Sequence, residues 1–184
     1  EMFKRMFISV VGLSLLAAIV SAQRGPRDVL REAFQQKIEQ IVESVDGVVG
    51  LVVKGLAIDE TFSINGDMVF AQASAIKLPI LFELFRQADE GELDLDSSVT
   101  LQDSDIVPGS GVLQRLTPGK VTMSLRDYAI LMVTESDNTA TNMVIDRVGM
   151  DNVNRTMGRL GLANTKLQRK MMDDEAWLND RENL

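Results

Sequence analysis

The stretch SAIKLPILFELF, residues 74–85, predicts a buried helix because almost every residue after Lys77 is apolar. Ser74 and Lys77 are three positions apart, which places both side chains on the same face of a helix. A serine hydroxyl is a weak nucleophile until a neighbouring group accepts its proton. Burial in an apolar run lowers the proton affinity of a lysine, as the base of such a pair requires. The two residues are therefore a candidate nucleophile and base, although an exposed serine and lysine one turn apart would show the same spacing.

The composition of the 184-residue chain excludes several kinds of site. The chain contains no His and no Cys, so a serine hydrolase of this sequence must activate its serine with Lys or a carboxylate. A zinc site would have to be built from carboxylates alone, and we assign neither a metal nor a cofactor. The net charge of −8 argues against nucleic acid or an anionic membrane surface as the partner.

A second polar motif, Ser-Asp-Asn at residues 136–138, begins 62 positions after Ser74 (136 − 74). On its own such a tripeptide is a good turn and helix N-cap. Together with Ser-x-x-Lys it forms the motif pair of the penicillin-recognising serine enzymes. From about residue 47 to residue 165 the chain resembles a class A β-lactamase, most densely in VPGSGVLQRL at 107–116 and SLRDYAILMVTESDNTATN at 124–142.

The resemblance implies an α+β fold of the two-lobed β-lactamase/transpeptidase type, with an antiparallel sheet flanked by helices and a separate all-α lobe. Residues 23–72 would form the first part of the α/β lobe, and residues 73–184 would form the all-α lobe that carries both motifs. The apolar pattern of the first part agrees, since it predicts a helix at 26–45 and a hairpin with strands at 48–57 and 61–70.

The resemblance also implies a role for each residue of the two motifs. Ser74 would be acylated, and Lys77 would take its proton, directly or through water and a carboxylate. Ser136 would pass a proton to the departing lactam nitrogen. Asn138 would orient Lys77 and hold the substrate amide, whereas Asp137 would turn inward and fix the loop.

A third motif of class A enzymes is Glu-x-x-Leu-Asn, whose glutamate activates the water that hydrolyses the acyl-enzyme. Residues 175–179 match this pattern and name Glu175 as the candidate. The Arg and Pro expected beside the glutamate are missing. Asp173 and Asp174 are therefore rival carboxylates, and an exposed acidic helix is an equal interpretation.

No Lys-Thr-Gly or Lys-Ser-Gly triad occurs in the sequence. In the family that triad lies on a later strand and recognises the substrate carboxylate. We therefore expect the fold to be truncated at its C-terminus and the chain on its own to be inactive.

The function implied by the resemblance is that of a serine β-lactamase, which hydrolyses the β-lactam amide through an acyl-enzyme on Ser74 and confers antibiotic resistance. The implied partner is a small-molecule β-lactam, and the implied state is a monomer. A DD-peptidase or an esterase of the same fold would share the motif residues. A β-lactam sensor would be acylated without turnover, and a catalytically dead homologue would keep only the fold. Fold resemblance does not choose among these alternatives.

The first 22 residues have the pattern of a Sec-type signal peptide, with Lys4 and Arg5 before an apolar run at 7–20 and a small-residue cleavage site ending at Ala22. This pattern, at residues 2–22, predicts export to the periplasm or secretion. A membrane anchor is the alternative, but the apolar run is short for a bilayer span.

Three further parts of the sequence have patterns that predict local structure. The acidic stretch 92–105 predicts a solvated connection. Ser124 and Asp127 form a capping-box pattern that opens a helix. Two more helices are predicted at 139–148 and 152–160, each followed by glycine.

Overall fold

The computed structural model describes residues 25–184, so the leader predicted at residues 1–22 lies outside the described residues. Within the described part, no helix combines the length and the apolar character that a bilayer crossing needs. The chain divides into two compact units, with the boundary between Met68 and Val69. Helices and antiparallel strands occur together, as expected for an α+β fold.

The first unit contains a helix and a hairpin. Helix α1 spans Pro26–Glu43, and the strands β1, Leu51–Gly55, and β2, Glu60–Ile64, pair antiparallel. Proline suits the first turn of α1 because an N–H there has no acceptor within the helix. The rings of Phe34 and Phe62 meet edge to face with centroids 5.5 Å apart, which attaches the helix to the hairpin.

Both hairpin strands are shorter than the predicted segments 48–57 and 61–70. Residues 56–59 form the turn, and Asp59 within it has a φ of 48°, which is incompatible with an extended strand. Asn65 has a φ of 50°, so β2 ends immediately before it.

The second unit, Val69–Leu184, is mainly helical. Its helices and strands, in chain order, are α2 (Lys77–Asp89), β3 (Ser98–Thr100), β4 (Thr122–Ser124), α3 (Leu125–Thr134), α4 (Asn138–Val148), α5 (Met150–Arg159) and α6 (Asp174–Leu178). The predicted capping box opens α3, because Ser124 Oγ accepts a hydrogen bond from the Asp127 N–H at 3.1 Å.

The all-α lobe predicted at residues 73–184 contains one short sheet that was not predicted. Strands β3 and β4 form a short antiparallel ladder, and β3 lies inside the segment 92–105 that was predicted to be a solvated connection. Val99 and Leu101 are buried, whereas the residues that alternate with them are more exposed. The acidic composition of the segment concealed this alternation, which is typical of a half-buried strand.

The helix predicted at 74–85 begins with a different turn. Ser74 lies in a single 3₁₀ turn, Ala73–Ile76, and the α-helix starts only at Lys77. Such turns are common at helix N-termini. Pro79 falls in the first turn of α2, where its missing N–H removes no intrahelical hydrogen bond.

The hydrophobic core of the second unit lies between α2, α3 and α4. Each contributes an apolar stripe of buried side chains, namely Ile80 and Leu84, with Ile76 of the preceding 3₁₀ turn; Leu125, Tyr128 and Met132; and Val144, Ile145 and Val148. The Tyr128 hydroxyl donates to the carbonyl of Val99 at 3.3 Å, which ties α3 to the short sheet. This packing sets the spacing between the 3₁₀ turn that carries Ser74 and the link from α3 to α4.

A buried polar network joins α2 to α5. The fully buried carboxylate of Glu83 accepts two hydrogen bonds from Arg86, one from Gln87 and one from Thr156. Burial alone raises the pKa of a carboxyl group, but the hydrogen bonds from Arg86, Thr156 and Gln87 outweigh it and lower the pKa of Glu83 to about 2. Glu83 is therefore ionised at neutral pH.

We expect Glu83→Leu to lower the free energy of unfolding by about 3 kcal/mol, because the buried donors of Gln87 and Thr156 lose their acceptor. The loss of unfolding free energy should not be larger than this, because Arg86 keeps its contacts with Glu90 and Glu92. Urea denaturation of the intact protein measures the difference.

The control for this prediction is Glu90→Gln, which removes an exposed partner of the same arginine and should cost less than about 1 kcal/mol. Because the folded-state pKa of Glu83 lies below the ordinary 4.5, its contribution is complete above about pH 4.5 and is lost as the pH falls towards 2. Equal losses of unfolding free energy in the two variants would contradict a stabilising role for ionised Glu83. A difference between the two variants that is as large at pH 2 as at neutral pH would contradict it as well.

Candidate active site

The side chains of Ser74, Lys77, Ser136 and Asn138 meet in one hydrogen-bonded cluster. Lys77 Nζ lies 3.2 Å from Ser74 Oγ, 2.8 Å from Ser136 Oγ and 2.7 Å from the Ser136 carbonyl. It also donates to Asn138 Oδ1 at 3.2 Å. The hydroxyl of Ser136 donates to Ser74 Oγ at 2.9 Å. The structure thus brings these four predicted residues together.

The backbone at both ends of the cluster has an unusual conformation. Ala73, immediately before Ser74, has a φ of 46°, and Ser136 itself has a φ of 51°. Residues other than glycine rarely adopt positive φ, and such strain tends to occur at functional sites. The link between α3 and α4 therefore turns sharply at Ser136, and this turn directs its hydroxyl towards Lys77.

Asp137 is buried and holds the motif in place from within the unit. Its Oδ2 accepts hydrogen bonds from the N–H groups of Val112 and Leu113, at 2.7 and 2.9 Å. Its Oδ1 accepts from the N–H of Ala140 at 2.9 Å, which caps the N-terminus of α4. Asp137 therefore occupies the inward, loop-fixing position that the sequence predicts for it.

The glycine loop, residues 107–111, packs directly against the second motif. A Cβ on Gly111 would lie 2.2 Å from the carboxyl group of Asp137, and one on Gly109 would lie 2.7 Å from Asn138 Nδ2. Both glycines also have positive φ angles. Asn138 Nδ2 donates to a carbonyl of the same loop at 3.1 Å, so the loop forms a wall beside the cluster.

Burial lowers the pKa of Lys77 below its ordinary value of 10.5, and the negative charge of Asp137 offsets part of this effect. Only 4% of Lys77 is exposed. A neutral amine at this position keeps protons to donate to Ser136, while its lone pair can accept the proton of Ser74. The cluster can therefore move a proton from one serine to the other through Lys77, which is the requirement for nucleophilic catalysis by Ser74.

In the described part of the chain, the carboxylate of Glu175 makes no direct contact that would join it to this cluster. Glu175 is exposed on the short helix α6, and within residues 25–184 no hydrogen bond joins its carboxylate to the cluster. Of the two rivals, Asp173 caps α6 by accepting from the N–H of Ala176 at 3.0 Å, and Asp174 is exposed. The predicted role of Glu175 in holding a water gains no support from this geometry.

Sequence reasoning missed a contact one turn further along α4. Asn142 Oδ1 accepts from the N–H of Met171 at 2.8 Å, and Asn142 Nδ2 donates to the carbonyl of Met171 at 3.0 Å. Asn138 and Asn142 are four positions apart and share a face of the helix. The available signal was a second asparagine in a helix with a buried face, because a buried amide needs a partner.

A sequence profile of the beta-lactamase enzyme family matches residues 33–184, a range that contains the whole cluster. The chain belongs to the beta-lactamase enzyme family. The resemblance indicated by the Ser-x-x-Lys and Ser-Asp-Asn motifs is confirmed.

Individual members of the beta-lactamase enzyme family agree with this assignment. A β-lactamase structure from Sphaerobacter thermophilus DSM 20745 is 39% identical with a TM-score of 0.70, over 74% of this chain and 51% of that chain. A PBP-A mutant, solved as an acyl-enzyme complex with penicillin G, is 36% identical with a TM-score of 0.70, over 78% and 55%. A β-lactamase from Rhodobacter capsulatus is 25% identical over 138 residues, 75% of this chain and 46% of that protein. The chain thus spans about half the length of these relatives, and the predicted fold class is confirmed.

Proposed function

We propose that the protein opens the β-lactam ring by acyl transfer to Ser74, as a serine β-lactamase. The observation that carries this proposal is the contact of Lys77 Nζ with both Ser74 Oγ and Ser136 Oγ, at 3.2 and 2.8 Å. Membership of the beta-lactamase enzyme family and the names of the Rhodobacter and Sphaerobacter proteins support the substrate class. The PBP-A complex supports an acyl-enzyme, since that relative forms one with penicillin G.

In the proposed acylation, Ser74 Oγ bonds to the lactam carbonyl carbon and the ring carbon–nitrogen bond breaks. Lys77 accepts the hydroxyl proton of Ser74, and Ser136 delivers a proton to the departing nitrogen and recovers one from Lys77. Asn138 keeps Lys77 in place. Water then hydrolyses the ester, which releases the ring-opened acid and restores Ser74.

A second candidate function shares the acylation step but lacks rapid hydrolysis of the ester. A β-lactam sensor, or a DD-peptidase that β-lactams acylate, would behave in this way. The exposure of Glu175, whose carboxylate has no direct hydrogen bond to the cluster within the described residues, favours this alternative over a fast hydrolase.

Mass spectrometry of the intact protein after incubation with penicillin tests the proposal. We expect a mass increase of one penicillin, and a digest should place the adduct on the peptide that contains Ser74. An adduct on another peptide, or none at saturating penicillin, would overturn the proposed function.

We expect the acylation rate constant to rise with pH and to level off above the pKa of Lys77. The base must be neutral, and because burial lowers this pKa, the midpoint should lie below 10.5. Rapid mixing with a chromogenic cephalosporin across neutral and alkaline pH measures the profile. A midpoint at or above 10.5, or a rate that falls with pH over this range, would contradict Lys77 as the base.

We also propose that the protein acts outside the cytoplasm, because residues 2–22 have the pattern of a cleavable leader. N-terminal sequencing of the exported protein should begin just after Ala22. A protein that retains residues 2–22 in the membrane would contradict cleavage.

A further inference from the structure

Two hydrogen bonds between Asn142 and the loop after α5 determine which residues of that loop lie beside the cluster. Asn142 is 7% exposed and makes both of its amide hydrogen bonds to the backbone of Met171, at 2.8 and 3.0 Å. Because these bonds involve only the backbone of Met171, they hold this part of the loop in place whatever side chain Met171 carries. Because Asn142 lies one turn from Asn138, which contacts Lys77, the segment is held next to the cluster.

The next residue, Met172, extends the same border. The position that a Cβ on Gly109 would take lies 3.5 Å from Met172 Sδ and 2.7 Å from Asn138 Nδ2, so the two side chains flank one point. Met172 has a φ of 59°, a strained conformation for a residue other than glycine. Met171 packs against the hydrophobic core, whereas Met172 is 43% exposed. The methionine segment, Met171 and Met172, is therefore an apolar edge of the site.

No carboxylate in the described part of the chain is hydrogen-bonded to the cluster. Asp137 is close, but its two oxygens already accept hydrogen bonds from three backbone N–H groups. Glu175 is exposed on α6. A water molecule that attacks an ester at Ser74 needs a group that accepts its proton. The edge held against the cluster offers two thioether side chains, which are weak acceptors and poor bases.

We infer that the methionine segment leaves the acyl-enzyme without a base for its hydrolysis, so that the ester on Ser74 is long-lived and deacylation limits turnover. This inference rests on the proposed function. In the slow step, water oxygen bonds to the acyl carbonyl carbon, the bond from that carbon to Ser74 Oγ breaks, and a proton passes from the water to Ser74 Oγ. Asn142 is then a positioning residue, because it acts on the site only through its hydrogen bonds to the backbone of Met171.

Rapid mixing of the intact protein with a chromogenic cephalosporin separates the two steps. We expect a burst of about one equivalent of ring-opened product, followed by a steady phase at least about 10²-fold slower, the lower end of what a general base contributes. Mass spectrometry should show the adduct throughout the steady phase. A linear time course with no burst and no accumulated adduct, together with rapid turnover, would overturn the inference while leaving the proposed function intact.

Glutamate substitutions in the segment provide the sharper test. Met171→Glu and Met172→Glu each place a carboxylate at this edge, and at least one should raise the steady rate by about 10²-fold with the burst unchanged. Met171→Leu and Met172→Leu are the matched controls and should behave like the parent protein. If neither glutamate variant accelerates the steady phase, although both melt and acylate normally, the segment does not border the ester and the inference fails.

The Glu175→Gln variant tests whether Glu175 acts as the base for hydrolysis of the ester or whether the site has no such base. We expect it to leave the burst and the steady phase as they are, because Glu175 is exposed and its carboxylate has no direct hydrogen bond to the cluster in the described part of the chain. A Glu175→Gln protein with a slower steady phase would return the role to Glu175 and overturn the inference. Absence of any burst or adduct in the parent protein would instead refute the proposed function itself.

Discussion

The Ser74→Ala protein is expected to form no covalent adduct with penicillin at any concentration or time. The Ser74 hydroxyl contacts Lys77 Nζ at 3.2 Å and Ser136 Oγ at 2.9 Å, so a proton acceptor and a second hydroxyl are both in place around it. Alanine removes the nucleophile and leaves the rest of the cluster. Because Ser74 is exposed and alanine favours helical backbone, the variant should fold like the parent protein. Mass spectrometry of the intact protein measures the loss, and a thermal melt checks the fold.

The matched control is Ser104→Ala, which removes an exposed serine from the same unit. Its adduct should form at the rate of the parent protein. Full labelling of the Ser74→Ala protein would place the nucleophile elsewhere and end the serine acyl-enzyme hypothesis for this site.

The geometry of the nucleophile and its base was predictable because local structure sets it. Two residues three positions apart share a helix face, and the structure places Lys77 Nζ 3.2 Å from Ser74 Oγ even though the first turn is 3₁₀ rather than α. The contact of Lys77 with Ser136 spans 59 positions, and no local pattern encodes it. The sequence related Lys77 to Ser136 only through the pairing of their two motifs in a known family, and the contact itself was not predicted.

The rest of the site could not be predicted, since it depends on contacts across the chain. Residues 175–179 match Glu-x-x-Leu-Asn, yet matching letters do not say which loop residue faces the cluster. In the structure, the two hydrogen bonds between Asn142 and the backbone of Met171 span 29 positions and hold the methionine segment against α4. The strand β3 was missed for a similar reason, because its pairing with β4 outweighs the acidic residues around it.

Replacing Lys77 with methionine is expected to slow acylation of Ser74 by about 10² to 10⁴-fold, the usual cost of losing a general base. Methionine is of similar length and suits a position that is only 4% exposed, so it removes the amine without leaving a large cavity. The alkaline rise in the acylation rate should disappear with it. Rapid mixing with a chromogenic cephalosporin measures both effects, and Lys120→Met, which changes an exposed lysine of the same unit, should leave both as they are.

Lys77→Arg separates proton transfer from electrostatic attraction. An arginine keeps the positive charge near Ser74 but does not release its proton at accessible pH. If Lys77 accepts the proton of Ser74, the arginine variant should be slowed as much as the methionine variant. If Lys77 contributes only its charge, the arginine variant should keep most of the rate. Urea denaturation must show that the larger guanidinium is tolerated, because Lys77 is packed among Ser74, Ser136 and Asn138. A folded Lys77→Arg protein that acylates at nearly the parent rate would refute the base assignment and leave Ser136 without the source of its proton.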